Sequence, residues 1–88
     1  MLNPKFTNQF KKDMKLAERH GYNMDVIEDV VIDIIAETPL PARCREHKLS
    51  GDWAGFTECH AFNDVLLIYE IDERTVTFIR LGTHSDLF

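Results

Sequence analysis

The sequence is short of the residues that announce a special architecture, with 2 cysteines, 3 prolines, 4 glycines and 1 tryptophan among 88 residues. Cys44 and Cys59 are too few for the disulfide framework of a small secreted domain, and without a secretion signal they are expected to be free thiols. So little proline and glycine excludes collagen-like, linker-like and low-complexity chains. No apolar run approaches the roughly 20 residues that span a bilayer, and Met1-Leu2-Asn3-Pro4-Lys5 lacks the apolar core of a signal peptide. These shortages predict a soluble, cytoplasmic protein with no membrane partner. Basic charge is short as well: 10 Lys and Arg face 15 Asp and Glu, a net charge of -5. That balance ordinarily argues against nucleic acid, whose phosphates are held by Lys and Arg.

What is present suffices for one small core. The chain is 44% hydrophobic, which predicts a single globular domain over residues 1–88 that buries about 60–65% of its unfolded surface. A partner that binds only the folded form would add to so small a stability. The charge is uneven. Met24 to Glu37 carries Asp25, Glu28, Asp29, Asp33 and Glu37 and no base, whereas Pro39 to Ser50 carries Arg43, Arg45 and Lys48 against Glu46 alone. The acidity belongs to one segment, and that segment is expected to receive basic residues from a protein partner.

Phe6, Phe10, Met14 and Ala17 recur at helical spacing, with Lys11, Lys12, Lys15 and Glu18 between them, which predicts a first helix over 4–19. Thr7 or Asn3 can cap it. Gly21 suits a left-handed helix end, and Asn23 can cap a second helix that runs to about Glu37. In that helix Ile27, Val30, Val31, Ile34 and Ile35 fall at i, i+3, i+4, i+7 and i+8, opposite the acids. Thr38-Pro39-Leu40-Pro41 ends it. Phe56–Phe62, Val65–Ile71 and Thr75–Leu81 read as strands joined by the turn residues Asn63-Asp64 and Asp72-Glu73-Arg74. The expected fold class is α+β: an N-terminal two-helix hairpin packed on a small antiparallel β-sheet of three to four strands. The first few residues are the candidate for the extra edge strand. Val65–Ile71, apolar on both faces, is the expected centre.

His47, His60, Asp64, Arg80 and His84 lie at strand ends and turns rather than inside the apolar runs. Histidine changes charge near neutrality, so several at one sheet edge can move protons during phosphodiester cleavage. His60 and Asp64 flank a tight connection, across which a carboxylate can orient the imidazole. Arg80-Leu81-Gly82-Thr83-His84 ends the third strand. There an arginine fork can brace non-bridging phosphate oxygens while an imidazolium protonates the leaving oxygen. His47 sits in the basic loop with Arg43, Arg45 and Lys48, all candidate phosphate contacts. Trp53 is a candidate base-stacking residue, although a sole tryptophan beside Phe56 more often anchors a core. Cys44, His47, Cys59 and His60 are conceivable zinc ligands. Neighbours on a strand point to opposite faces, so Cys59 and His60 are poorly placed to share one ion, and no metal or other cofactor is expected.

Three stretches carry a resemblance: Glu46-His47-Lys48-Leu49-Ser50-Gly51-Asp52-Trp53; Glu58-Cys59-His60 followed by Asn63-Asp64-Val65-Leu66-Leu67-Ile68-Tyr69; and Arg80-Leu81-Gly82-Thr83-His84-Ser85-Asp86-Leu87-Phe88. Together with Phe10-Lys11-Lys12-Asp13-Met14-Lys15 they resemble, in order and spacing, the YafQ-type toxins of the RelE/ParE superfamily. The resemblance implies a RelE-like fold and the toxin of a type II toxin-antitoxin system. Such a toxin is a metal-independent endoribonuclease, an mRNA interferase that cuts messenger RNA during translation on the ribosome and is silenced by a cognate antitoxin. It implies attack by the ribose 2'-hydroxyl, leaving a 2',3'-cyclic phosphate. On the same ground His84 is the general acid, Arg80 the phosphate clamp, His47, His60 and Asp64 the base and its orienting network, and Phe88 a packing surface for a substrate base. Ala54 and Thr57 stand where the family commonly carries basic residues, so two phosphate contacts are lost and docking on RNA is expected to be weaker. Two other readings compete. One is a catalytically weak RelE-fold binding module that mainly complexes an antitoxin; the other is a gyrase-directed toxin of the ParE branch, which the histidine set disfavours.

Overall fold

Thr7 and Asn23 start the two long helices of this computed structural model, which describes residues 1–88. The Thr7 hydroxyl accepts the Phe10 N–H at 2.9 Å and Asn23 Oδ1 accepts that of Val26 at 3.4 Å. Each satisfies an N–H that the helix itself cannot pair. The helices are α1 (Asn8–Arg19) and α2 (Met24–Ile35), joined through Gly21, whose φ of 78° only glycine adopts freely. Expectation and structure differ at both outer ends. Residues 3–6 are not the first turn of α1 but a strand, β1 (Asn3–Phe6), and α2 stops before Glu37, which lies at φ 61°. Phe6 nevertheless meets Phe10, at a ring separation of 5.8 Å, and stacks on Phe78 at 5.3 Å. Its spacing from Phe10 imitates a helical repeat although its backbone is extended.

The remaining strands are β2 (His47–Lys48), β3 (Thr57–Phe62), β4 (Val65–Asp72) and β5 (Thr75–Gly82), and a short helix, α3 (His84–Leu87), follows. The sheet has five strands in the order β1-β5-β4-β3-β2, with β1 parallel to β5 and the other pairs antiparallel. The expected wholly antiparallel sheet of three to four strands is therefore corrected to a mixed one of five. β1 lies where the extra edge strand was expected, whereas β2 is an exposed two-residue edge without apolar alternation, so nothing in its pattern betrays it. The turns at Asn63-Asp64 and Glu73-Arg74 are as expected, with Asn63 and Glu73 in the left-handed region at φ 47° and 55°.

β4 lies at the centre, and Val65 through Tyr69 are all buried. On one face Val65, Leu67 and Tyr69 pack with Cys59, Ala61, Val76, Phe78 and Leu81 beneath Phe10, Ala17, Ile27, Val30, Val31 and Ile34 of the helices. On the other, Leu66 and Ile68 lie beneath Leu87, Trp53, Phe56, Leu49 and Ile79. Burying such a side chain contributes roughly 1.5–3 kcal/mol, so the helix-side cluster carries most of the stability. No helix is long and apolar enough to cross a membrane.

Candidate active site

Strand register assembles the site from distant parts of the chain. His47 of β2 stands opposite Glu58 of β3, Glu58 opposite Ile68 of β4, and Ile68 opposite Arg80 of β5. The next row runs His60, Leu66, Gly82. Directly opposed residues share a sheet face, so His47, Glu58 and His60 belong to the face away from the helices. α3 brings the rest. The Thr83 hydroxyl accepts the Asp86 N–H and the Asp86 carboxylate accepts that of Thr83, while Leu87 packs into the cluster of Leu66 and Ile68. Gly82 serves this turn by lacking a side chain, since a Cβ there would lie 3.1 Å from Asp86 Cβ.

With α3 docked, the His84 ring lies 6.5 Å from that of His60 and 5.8 Å from that of Phe88, whose ring is 5.6 Å from Trp53. His60 Nδ1 is 3.2 Å from the Asn63 carbonyl oxygen. A carbonyl only accepts, so Nδ1 carries a hydrogen, and in the neutral ring Nε2 is the nitrogen with the lone pair. Asp64, exposed in the turn, was the expected partner of His60, but the backbone of Asn63 takes that place. His47 is engaged at both nitrogens: Nδ1 lies 2.7 Å from the Arg45 carbonyl oxygen and Nε2 lies 3.4 Å from Glu58 Oε1. The Arg45 carbonyl only accepts, so Nδ1 carries a hydrogen and Nε2 is the nitrogen that faces the carboxylate.

Arg80 is held from behind. β1 ends opposite Phe78, leaving the edge of β5 open, and α1 closes it: Thr7 Oγ1 donates to the Ile79 carbonyl at 3.0 Å and Asp13 Oδ2 accepts the Leu81 N–H at 2.9 Å. The same carboxylate takes Arg80 Nε at 2.8 Å and Nη2 at 3.4 Å, and Gln9 Nε2 donates to it at 3.1 Å. Buried Asp13 thus meets four donors, as a carboxylate removed from water must. Asp13 and the buried Glu58 are not among the candidate site residues expected from the sequence. The available signals were an acid at i+3 from Phe10 on the apolar face of α1, and an acid two residues before His60 on one strand face.

Arg43 lines a surface hollow with Val26, His60, Phe62 and Asn63, while Arg45 contributes its carbonyl to His47. Lys48, exposed and opposite Thr57, alternates to the side away from His47. Trp53 is partly buried against Phe56 and the second cluster, the anchoring role weighed above. Cys44 and Cys59 are free and buried, Cys59 in the helix-side core, and no three His, Cys, Asp or Glu side chains gather as a metal set. Burial above all, then the nearby Cys44, Glu46 and Glu58, pushes the Cys59 thiol up to about 12. Burial, then the hydrogen bond to Glu46, holds Tyr69 in its neutral form far above the usual phenol range.

A two-helix hairpin on one face of a mixed five-stranded sheet, with histidines and an arginine gathered at the other, defines a RelE-like toxin. The family model of the bacterial toxin of type II toxin-antitoxin systems, YafQ, matches residues 2–88. The mRNA interferase toxin YafQ of Escherichia coli K12 is 36% identical over 84 residues, covering 94% of this chain and 91% of the relative. The crystal structure of YafQ from E. coli BL21(DE3) superposes with a TM-score of 0.94 at 32% identity, covering 100% of this chain and 99% of the other. YafQ in the E. coli DinJ-YafQ complex gives 0.93 at 34%, with the same coverage. A metal-bound toxin from Helicobacter pylori gives 0.91 at 37%, with full coverage of both chains. The chain belongs to the YafQ family of type II toxins.

Proposed function

We propose that the protein is an endoribonuclease toxin that cleaves messenger RNA during translation on the ribosome and is silenced by a cognate antitoxin. The E. coli relative bears the name mRNA interferase, and the DinJ-YafQ structure is a toxin-antitoxin complex. The observation that carries the reading is the approach of the His60 and His84 rings to 6.5 Å, with Arg80, fixed by Asp13, on the neighbouring register row of the sheet. Hydrogen bonds reach about 2.6–3.2 Å, so two imidazoles at this spacing can meet the attacking hydroxyl and the leaving oxygen of one phosphodiester. His60, with Nε2 free, takes the proton of the 2'-hydroxyl. The 2'-oxygen attacks phosphorus, His84 gives a proton to the departing 5'-oxygen, and a 2',3'-cyclic phosphate remains. Arg80 braces the non-bridging oxygens, His47, held between the Arg45 carbonyl and Glu58, offers a ring nitrogen to the same phosphate, and Asp64 adds a carboxylate at the mouth of the site. Phe88, 55% exposed against Trp53, offers a face on which a base can stack.

Inducible expression of wild type beside His84→Ala, with growth followed and transcript ends mapped, tests this. Growth arrest with new internal mRNA ends in the wild type alone is expected, and purified His84→Ala should cut about 10²–10⁴-fold more slowly. Equal behaviour of the two folded proteins would sink the reading. The net charge of -5, with Ala54 and Thr57 in place of bases, favours as second reading an antitoxin-binding module with little activity. Normal growth in both strains selects it. Acid–base catalysis by the two histidines needs no metal, so cleavage is expected to persist in chelator; loss in chelator and rescue by a divalent ion would overturn that mechanism.

A further inference from the structure

On α1, Lys12, Lys15 and Arg19 fall at i, i+3 and i+7, with Lys11 beside them, and all are exposed. We propose that this stripe is the docking surface for the phosphate backbone of the RNA strand being cut, an assignment that rests on the ribonuclease reading above. In a protein of net charge -5 a polyanion can be held only by a local concentration of cations, and α1 supplies one. The acids of the helix do not cancel it. Asp13 is buried and occupied by Arg80, and Glu18, at i+3 from Lys15 and i+7 from Lys11, lies at one flank, makes no ion pair and leaves the stripe with a surplus of cations. Folding does not call for the stripe either. Lys11 with Lys15, Lys15 with Arg19, and Lys12 with Lys15 are like-charge neighbours at i+4 or i+3, an arrangement that costs stability. The ion pairs of the structure engage the N-terminus, His47, Arg74 and Arg80 instead.

Position links the stripe to the cut bond. Leu16 shares one shallow surface with Lys12, Lys15 and Arg19 and a second hollow with Asp13, Gly82 and Asp86. The helix that grips the Arg80 clamp at the β5 edge therefore carries, on its exposed face, cations that can hold a strand passing round that edge. From Lys11 to Arg19 the helix rises about 12 Å, enough for a strand to follow over a few nucleotides. The stripe offsets the basic residues that Ala54 and Thr57 leave out.

The test uses a short single-stranded RNA with 2'-O-methyl riboses, which cannot be cut, and measures its affinity against salt concentration. Lys12→Gln with Arg19→Gln is compared with Lys5→Gln with Arg74→Gln, which removes the same charge from the β1 side of the molecule. The stripe variant should bind several-fold more weakly, and the slope of log affinity against log salt should shrink by about 1.4, at roughly 0.7 per lost single-strand contact. Its KM for cleavable RNA should rise with kcat unchanged, and the control should match wild type. Equal slopes in the two variants, with wild type still cutting RNA, overturn the stripe and leave the ribonuclease reading standing. Weaker binding to ribosomes with unchanged binding to the oligonucleotide also overturns it, assigning the stripe to ribosomal RNA. A wild type that neither binds nor cuts RNA removes both proposals.

Discussion

The two helices are the same length, 12 residues each, and turn similar apolar faces into one core, yet their outer faces carry opposite charge. α1 presents Lys11, Lys12, Lys15 and Arg19, whereas α2 presents Asp25, Glu28, Asp29 and Asp33 without a base. Burial explains the inner faces, because Phe10, Ala17, Ile27, Val30, Val31 and Ile34 all cover the same strands. It leaves the outer faces unexplained. Helix dipoles favour Arg19 at the end of α1 and Asp25 at the start of α2, but not Asp33 in the last turn of α2. The outer charges are what the proposed RNA over α1 and the expected basic segment of an antitoxin over α2 would each need. The helices differ inwardly as well, since α1 sends Asp13 into the core to hold Arg80 and α2 sends only apolar groups.

That inward difference predicts the largest effect. Asp13→Ala leaves Arg80 half-buried without its partner and the Leu81 N–H unpaired, and should destabilise the fold by about 3–5 kcal/mol, read from the urea midpoint. Asp13→Asn, which keeps the shape, should fold better yet still slow RNA cleavage, because the clamp loses its anchoring charge. Cleavage at the wild-type rate by folded Asp13→Asn would show that Arg80 needs no support from α1. On the α2 side, Ile27→Ala opens a cavity under the helix and should cost about 2–5 kcal/mol with cleavage per folded molecule unchanged. A fall in cleavage there would erase the contrast between the helices.

Beneath both helices lies Cys59, whose thiol is pushed from its ordinary 9.0 up to about 12. The folded state thus keeps a proton that the unfolded chain gives up between those values, so stability is full below about pH 9 and falls as pH rises towards 12. Denaturation midpoints across that window should drop in the wild type and drop less in Cys59→Ala, and identical slopes would assign the loss to other groups. The smallest change in stability belongs to the outer face of α2. Glu28→Gln, Asp29→Asn and Asp33→Asn together should leave stability within about 0.5 kcal/mol. The same triple change should weaken the antitoxin complex, most at low salt. Affinity unchanged across salt concentrations would remove α2 from the antitoxin interface.

Elements with a repeating pattern were legible in the sequence. Ile27, Val30, Val31 and Ile34 recur every turn and are buried, and β3, β4 and β5 lie within a residue of where alternation and turn chemistry put them. The first residues were the candidate edge strand and do form β1, but its parallel pairing with residues 75–78 was not legible, because Asn3-Pro4-Lys5-Phe6 has no alternation and its partner lies at the far end of the chain. The candidate site was legible as a set of residue types and less so as an arrangement. His60 and His84 do meet, but His60 is oriented by the Asn63 carbonyl, and Arg80 by a carboxylate 67 positions away.

By itself, then, the sequence determined what depends on neighbours along the chain. Those features are the amphipathic helices, their caps at Thr7 and Asn23, the left-handed turn residues, and the charge that each segment shows to solvent. Tertiary structure alone decided what depends on register and closure. It made β2, the parallel pairing of β1, the row of His47, Glu58 and Arg80 across the sheet, the docking of α3 on Leu66 and Ile68, and the carboxylate of Asp13 behind the clamp. The physical reason is that periodicity is a local property of a helix or strand, whereas the partner of a buried charge is whatever group the fold brings within about 3 Å of it.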